Sequence, residues 1–163
     1  VNNAASGVMK PGAELSVRHW DWTMNINARA PWLTTRGFAK IMPRGSQVIN
    51  ISSPGSNKVI PSYFAVGVSK SALESITKYM AIEMAELGIS VNAVSPGFIM
   101  TEAIKAFPSE LSIEKLAARP TPAGKSVQAQ DVANVVAMLC GEDSEMIRGQ
   151  VIIVDGGETL LVR

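Results

Sequence analysis

Tyr63 and Lys70 are the two residues whose types and spacing point to proton chemistry. Seven helical residues turn through about 700°, within about 20° of two full turns. A helix starting after Pro61-Ser62 therefore presents a phenol and an ammonium on one side. Upstream, Ser52 and Ser53 close the β-branched run Val48-Ile49-Asn50-Ile51, which suits a buried parallel strand. Pro54-Gly55-Ser56-Asn57 is a dense set of turn formers. A strand end thus delivers hydroxyls, and the next helix delivers a phenol and a cation. That is the make-up of an acid–base site. Two helical turns separate the Cα atoms of Tyr63 and Lys70 by about 10.5 Å, against about 6 Å for a four-residue spacing. At an effective dielectric of about 20, charges about 10 Å apart interact by roughly 1.7 kcal/mol. Lys70 is therefore expected to act mainly on a bound ligand.

The elements that position these residues follow in chain order. Val1 to Ala4 reads as the tail of a strand. Residues 16–42 are helical in pattern, with Trp20, Met24, Ile26 and Ala30 near helical spacing and Trp32, Leu33, Phe38 and Ile41 following. Pro31 should kink this stretch or mark a first turn. The helix after Pro61 is expected to run to about residue 87, where Gly88 stops it. Its small residues and spread of apolar positions suit burial against a sheet and a partner subunit. Ile89-Ser90-Val91-Asn92-Ala93-Val94 reads as a strand closed by Ser95-Pro96-Gly97. Residues 98–122 carry three prolines between short amphipathic pieces, a suitable substrate lid. A helix over 128–139 and a strand over 150–154 follow. Strand–helix alternation of this kind argues an α/β domain with a parallel sheet. Ligands of such sheets bind outside the carboxyl ends of the strands. Those ends carry Asn3-Ala4, Ser52-Ser53 and Ser95-Pro96-Gly97.

The 163-residue chain is sized for one domain, residues 1–163. With 47% hydrophobic and 18% charged residues it is neither disordered nor membrane-like in composition, and a cytoplasmic location is expected. The net charge of +1 gives no reason to expect nucleic acid or an acidic membrane as partner. One cysteine, Cys140, excludes an internal disulfide framework. On the apolar face of its helix it reads as a buried, inert thiol. His19 reads as a surface or packing residue, and the Trp and Met residues at helical spacing as core. No metal constellation is present. The chain opens at Val1 within what reads as a buried strand end, so an upstream segment is expected.

With these residues placed, the chain resembles the short-chain dehydrogenase/reductase family over its whole length. Asn2-Asn3-Ala4 is similar to the family's strand-end Asn-Asn-Ala-Gly, with Ala5 in place of Gly. WDWTMNIN (20–27), the strand ending at Ser53, NAVSPG (92–97) and VDGG (154–157) resemble further signatures in the same order. The usual family spacing puts Tyr at position 66, where this chain has Val66. Tyr-x₆-Lys resembles the enoyl-[acyl-carrier-protein] reductase branch, and the wording is closest to its bacterial NADPH-dependent type III members.

The resemblance implies a Rossmann-like doubly wound parallel sheet, the C-terminal two-thirds of such a domain. It implies reduction of a trans-2-enoyl thioester on acyl carrier protein or CoA, with NADPH or alternatively NADH. It assigns catalysis to Tyr63 and Lys70, a helix-opening relay role to Asn27, and cofactor contacts to Asn3, Ala4, Ser52, Lys70, Pro96, Gly97, Ile99 and Thr101. Ser53 stands 13 residues before Val66, the family register of the catalytic Ser. With the Tyr displaced, its role stays open between a substrate contact and none. The resemblance further implies a homotetramer or homodimer. A carbonyl or 3-ketoacyl reductase would need a Tyr at 66. None of the 13 glycines forms a GxGxxG or GxxxGxG turn for the cofactor pyrophosphate, so a non-catalytic fragment is the remaining alternative.

Overall fold

The β-branched run 48–51 does become a strand, and the sheet grows from it. A computed structural model of the chain describes residues 1–161, the side chains of Lys105, Ala106 and Glu110 excepted. Strand β1 (Gln47–Ile51) pairs parallel with β2 (Ser90–Pro96), which pairs parallel with β3 (Val151–Val154), in the order β1-β2-β3. The expected strand tail at residues 1–4 is reduced to one parallel bridge. Asn2 donates its amide to the Ile49 carbonyl and accepts from the Ile51 amide.

Both faces of the sheet are covered, and β1 and β2 are buried along nearly their whole length. Val48 and Val91 pack with Ala39, Met80, Ala81 and Ile89 on one side. Ile49 and Val94 pack beneath Val132 and Leu139 of α5 (Ala129–Leu139) on the other. The chain is therefore an α/β, Rossmann-like fold with a parallel sheet. Among the described residues no helix is long and apolar enough to cross a membrane.

The helical stretch before β1 is composite. Helix α1 (Val17–Met24) is capped by Ser16, whose hydroxyl accepts from the His19 amide. It widens into a π turn over Asn25–Arg29 and continues as α2 (Ala30–Phe38). Pro31 explains the widening. It has no N–H to give back to Asn27, and the Ala30 amide reaches the Asn25 carbonyl instead. The buried face is made of Thr23, Asn27, Ala28, Pro31 and Thr35. Of the expected apolar stripe, Trp20, Met24, Ile26 and Ala30 are half-buried, whereas Trp32, Leu33, Phe38 and Ile41 face outward. Close packing on the next helix selects small and hydroxyl side chains, leaving the bulky ones of α2 outside.

That helix, α3, spans Phe64–Glu83, shorter than the expected 62–87, and residues 84–88 are turn ending at Gly88 with φ +72°. At its other end Ser62 adopts a left-handed φ of +61°, a strained conformation for a residue with a Cβ. Tyr63 is accordingly the N-cap rather than the first helical residue. One turn on, Gly67 lies so close to the turn after β1 that a Cβ there would fall 2.7 Å from the Gly55 carbonyl oxygen. Beyond β2, residues 98–122 form 3-10 turns (Glu102–Ala106, Ser109–Leu111) and α4 (Ile113–Ala118). Ile104, Ile113 and Ala117 pack there with Phe98, Phe107 and Leu111.

The contact at Gly67 is testable. Gly67→Ala should lower stability by about 1–3 kcal/mol in denaturant unfolding. Gly37→Ala, at a helical position with nothing within 4 Å, should not. Equal effects at both sites would show that the close approach carries no strain.

Candidate active site

Tyr63 stands at the mouth of α3 with its hydroxyl 3.3 Å from that of Ser53, the last side chain of the β1 end. Gly55 makes this possible, because a Cβ there would fall 2.5 Å from the Tyr63 ring. The ring also stacks on Phe107, with centroids 5.4 Å apart and planes 17° from parallel. Burial pushes the Tyr63 phenol above its usual pKa, and the hydrogen bond with Ser53 opposes the rise. The phenol stays protonated at neutral pH. It is a donor.

Lys70 is 5% exposed, and its ammonium donates to the Ile51 carbonyl at 2.6 Å. Burial lowers its pKa from 10.5 to about 8. The side chain thus bolts α3 to the end of β1. Ser52, one residue along, donates its hydroxyl to Glu74 at 2.5 Å, linking the same two elements. Asn27 is fully buried, and its side chain is wholly committed. Its Oδ1 accepts from the Ser6 amide at 2.8 Å, and its Nδ2 donates to the Ser6 carbonyl and to Ser69 Oγ. What Asn27 can still offer is its backbone carbonyl, since Pro31 cannot bond it.

A cavity of about 660 Å³ opens beside Tyr63 at the carboxyl ends of the strands. Asn3, Ser53, Tyr63, Pro96, Gly97, Ile99 and Thr101 all line it. Ala4 does not; it is exposed on the loop beyond Asn3. Ser52, Lys70 and Asn27 sit behind the wall rather than in it. Val66 is 6% exposed and packs toward Gly7, away from the cavity. Two contributors escaped the reading of the sequence. Phe107 lay unmarked in a stretch read only as a lid, and Glu74 gave the one signal of standing a turn after Lys70. Cys140 is exposed, against expectation. It is the C-cap of α5, one residue past the buried Leu139, where the chain turns away from the core. His19 is partly buried. Among the described residues no cluster could hold a metal ion.

The hydroxyl pair and the buried lysine lie at the carboxyl edge of a parallel sheet, where open α/β folds bind their ligands. Comparison with known proteins narrows this. Residues 1–159 match the family model described as Enoyl-(Acyl carrier protein) reductase, and the chain belongs to the short-chain dehydrogenase/reductase family. It is 32% identical to the 1-cyclohexenylcarbonyl-CoA reductase of Streptomyces collinus, over 99% of this chain and 58% of that one. It is 30% identical to the gluconate 5-dehydrogenase of Gluconobacter oxydans, over 98% and 63%. The Bacillus cereus enoyl-acyl carrier protein reductase, solved with NADP+ and an indole naphthyridinone, superposes with a TM-score of 0.88 at 26% identity, over 95% of this chain and 61% of that one. The chain thus spans about 60% of the length of these relatives.

Two titrations test the site. Tyr63 and Tyr79 are the only tyrosines, and Tyr79 is 70% exposed. In a Tyr79→Phe background the remaining phenol should ionise above pH 10, and adding Ser53→Ala should move it further up. A fall on adding Ser53→Ala would mean the Ser53 contact does not favour the phenolate. Between pH 8 and 10.5 the unfolded chain holds a Lys70 proton that the folded chain has released. Raising the pH through that window therefore favours the folded state. The wild type should gain thermal stability relative to Lys70→Met across it. A pH-independent difference would place the Lys70 pKa at its ordinary value.

Proposed function

We propose that the protein reduces trans-2-enoyl thioesters with NADPH, NADH serving as the alternative donor. The observation that carries this reading is the source of the phenol. Tyr63, seven residues before Lys70, opens on the cavity, while position 66 holds a valine packed toward Gly7. The named activities of the Streptomyces collinus and Bacillus cereus relatives support it.

The residues present suit the nicotinamide end of the cofactor. Pro96, Gly97, Ile99 and Thr101 border the cavity where a nicotinamide would lie. A Cβ on Gly97 would come within 3.1 Å of Asp155, so that wall stays low. Asn3, Ala4, Ser52 and Lys70 would hold the ribose side. Lys70 and Ser52 would do so from behind the wall after a small shift of their hydrogen bonds. When bound, the nicotinamide supplies a hydride to the substrate β-carbon.

The chain's own residues do the rest. As the hydride arrives, an electron pair moves onto the thioester oxygen. The protonated Tyr63 hydroxyl donates to that oxygen, and a preorganised donor of this kind is worth about 10²–10³ in rate. Ser53 holds the phenol in place. Collapse of the enolate, the α-carbon taking a proton that solvent water supplies, gives the saturated thioester and leaves the Tyr63 phenol protonated. The Lys70 ammonium adds positive potential, and the Asn27 carbonyl holds a relay water near it. Residues 98–122 close over the substrate and exclude bulk water.

The acyl group would arrive on acyl carrier protein or CoA, as in fatty acid synthesis, in the cytoplasm. The exposed Trp32, Leu33, Tyr79 and Ile82 on the α1–α3 face suit a homotetramer or homodimer. One observation favours a second reading, carbonyl or 3-ketoacyl reduction. The Ser53–Tyr63 hydroxyl pair would serve a carbonyl oxygen equally well, and a relative named for gluconate oxidation lies at similar identity.

Oxidation of NADPH, followed optically with a crotonyl thioester and with a 3-ketoacyl thioester, separates the readings. Turnover on the enoyl substrate alone, falling about 10²–10³-fold in Tyr63→Phe, is the expected result. Turnover on the keto substrate alone overturns the enoyl assignment. Absence of both, together with no NADPH binding, favours the non-catalytic alternative.

A further inference from the structure

We infer that Glu74 is a positioning residue for the Tyr63 phenol, acting through Ser52 and Ser53, an inference that rests on the reading of Tyr63 as donor to the substrate oxygen. Glu74 is half-buried one turn beyond Lys70 on α3, and it does not line the cavity.

The sheet alone does not hold the end of β1. Ser52 donates its amide to the Val94 carbonyl at 2.8 Å. In the parallel register of β1 and β2 the next bond would run from the amide of residue 96 back to the Ser52 carbonyl. Residue 96 is proline and has no N–H to give. The ladder therefore stops one residue before Ser53, whose hydroxyl meets the phenol at 3.3 Å.

What replaces the ladder comes from α3. Lys70 donates to the Ile51 carbonyl at 2.6 Å, and Glu74 accepts from the Ser52 hydroxyl at 2.5 Å. Two successive turns of the helix thus grip two successive residues of the strand end. Ser52 is 3% exposed, so its hydroxyl has no solvent partner to fall back on. A carboxylate accepting from a hydroxyl makes a stronger bond than a neutral acceptor does. It fixes the Ser52 side chain, and with it the backbone from which Ser53 departs. The Ser53–Tyr63 contact has little slack, and a drift of roughly 0.3 Å would break it.

The test is the spectrophotometric titration of Tyr63 in the Tyr79→Phe background. Burial raises the phenol pKa, and the hydrogen bond with Ser53 lowers it. Glu74→Ala should therefore move the titration upward, by up to the shift that Ser53→Ala causes. It should add nothing once Ser53 is alanine. Ser52→Ala removes the same bond from its other end and should match it, which covers a Glu74→Ala chain that fails to fold. Glu74→Gln keeps an acceptor for Ser52 and should stay at the parent value. The sign separates this from other causes. Loss of a nearby negative charge would move the phenol down, and so would a loosened fold that returned it to water. Lys70 on α3, and Lys58 on the 54–60 turn that shares a hollow with Tyr63, are unaltered in every variant, and Phe107 on the facing segment is uncharged. A downward shift, no shift, or an upward shift that persists in Ser53→Ala overturns the inference. A Glu74→Gln chain that moves with Glu74→Ala overturns it as well. These readings need no turnover, so they hold whether or not an enoyl thioester is reduced. With a crotonyl thioester that is turned over, Glu74→Ala should lower kcat with KM nearly unchanged, and its loss should not add to that of Ser53→Ala. Additive losses would overturn the route through Ser53.

Discussion

Everything at the site depends on how closely α3 approaches the turn that ends β1. Two glycines permit it: a Cβ on Gly67 of the helix would strike the Gly55 carbonyl oxygen, and one on Gly55 of the turn would strike the Tyr63 ring. That proximity puts a phenol from one element against a hydroxyl from the other, and lets Lys70 reach the Ile51 carbonyl. Ser62, held left-handed, is where the backbone absorbs the bend. The helix is not merely near the strand end; it is fastened to it by a lysine below and by Ser52 and Glu74 beside it.

Burial then acts on the two ionisable groups in opposite senses. It raises the phenol and lowers the ammonium, because it disfavours whichever form of each is charged. A phenol held neutral is suited to donating toward developing negative charge, and unsuited to abstracting a proton from an alcohol. A weakly held lysine proton beside a strand-end carbonyl costs stability, a cost of the kind that functional sites commonly carry.

Much of this was legible in the sequence where local chemistry and tertiary structure agree. The β-branched run 48–51 and the strand-end hydroxyls are short-range signals and both formed, whereas α3 ends at Glu83, five residues before the expected stop at Gly88. The α5 stripe, with Val132 and Leu139 buried, was legible for the same reason. Spacing alone placed Tyr63 and Lys70 on the same element but put Tyr63 inside a helix it only caps. The apolar residues at 32–41 were misleading because periodicity reports that a face is apolar, not what covers it. The Ser53–Tyr63 contact was left open because it depends on the Gly55 turn, whose path no residue pattern dictates. The Phe107 stack crosses from a proline-broken segment with no clear period, so nothing local announced it.

The position of Cys140 has a practical consequence. It is the chain's single thiol, it is exposed, and it borders a polar hollow with Gln47 and Ser90, the residues that begin β1 and β2. The cavity at Tyr63 lies at the other end of the same strands. A maleimide fluorophore or spin label would therefore attach at one defined point without any engineered cysteine. Such a probe would report any movement of residues 98–122 from a distance, leaving every group at Tyr63 chemically untouched.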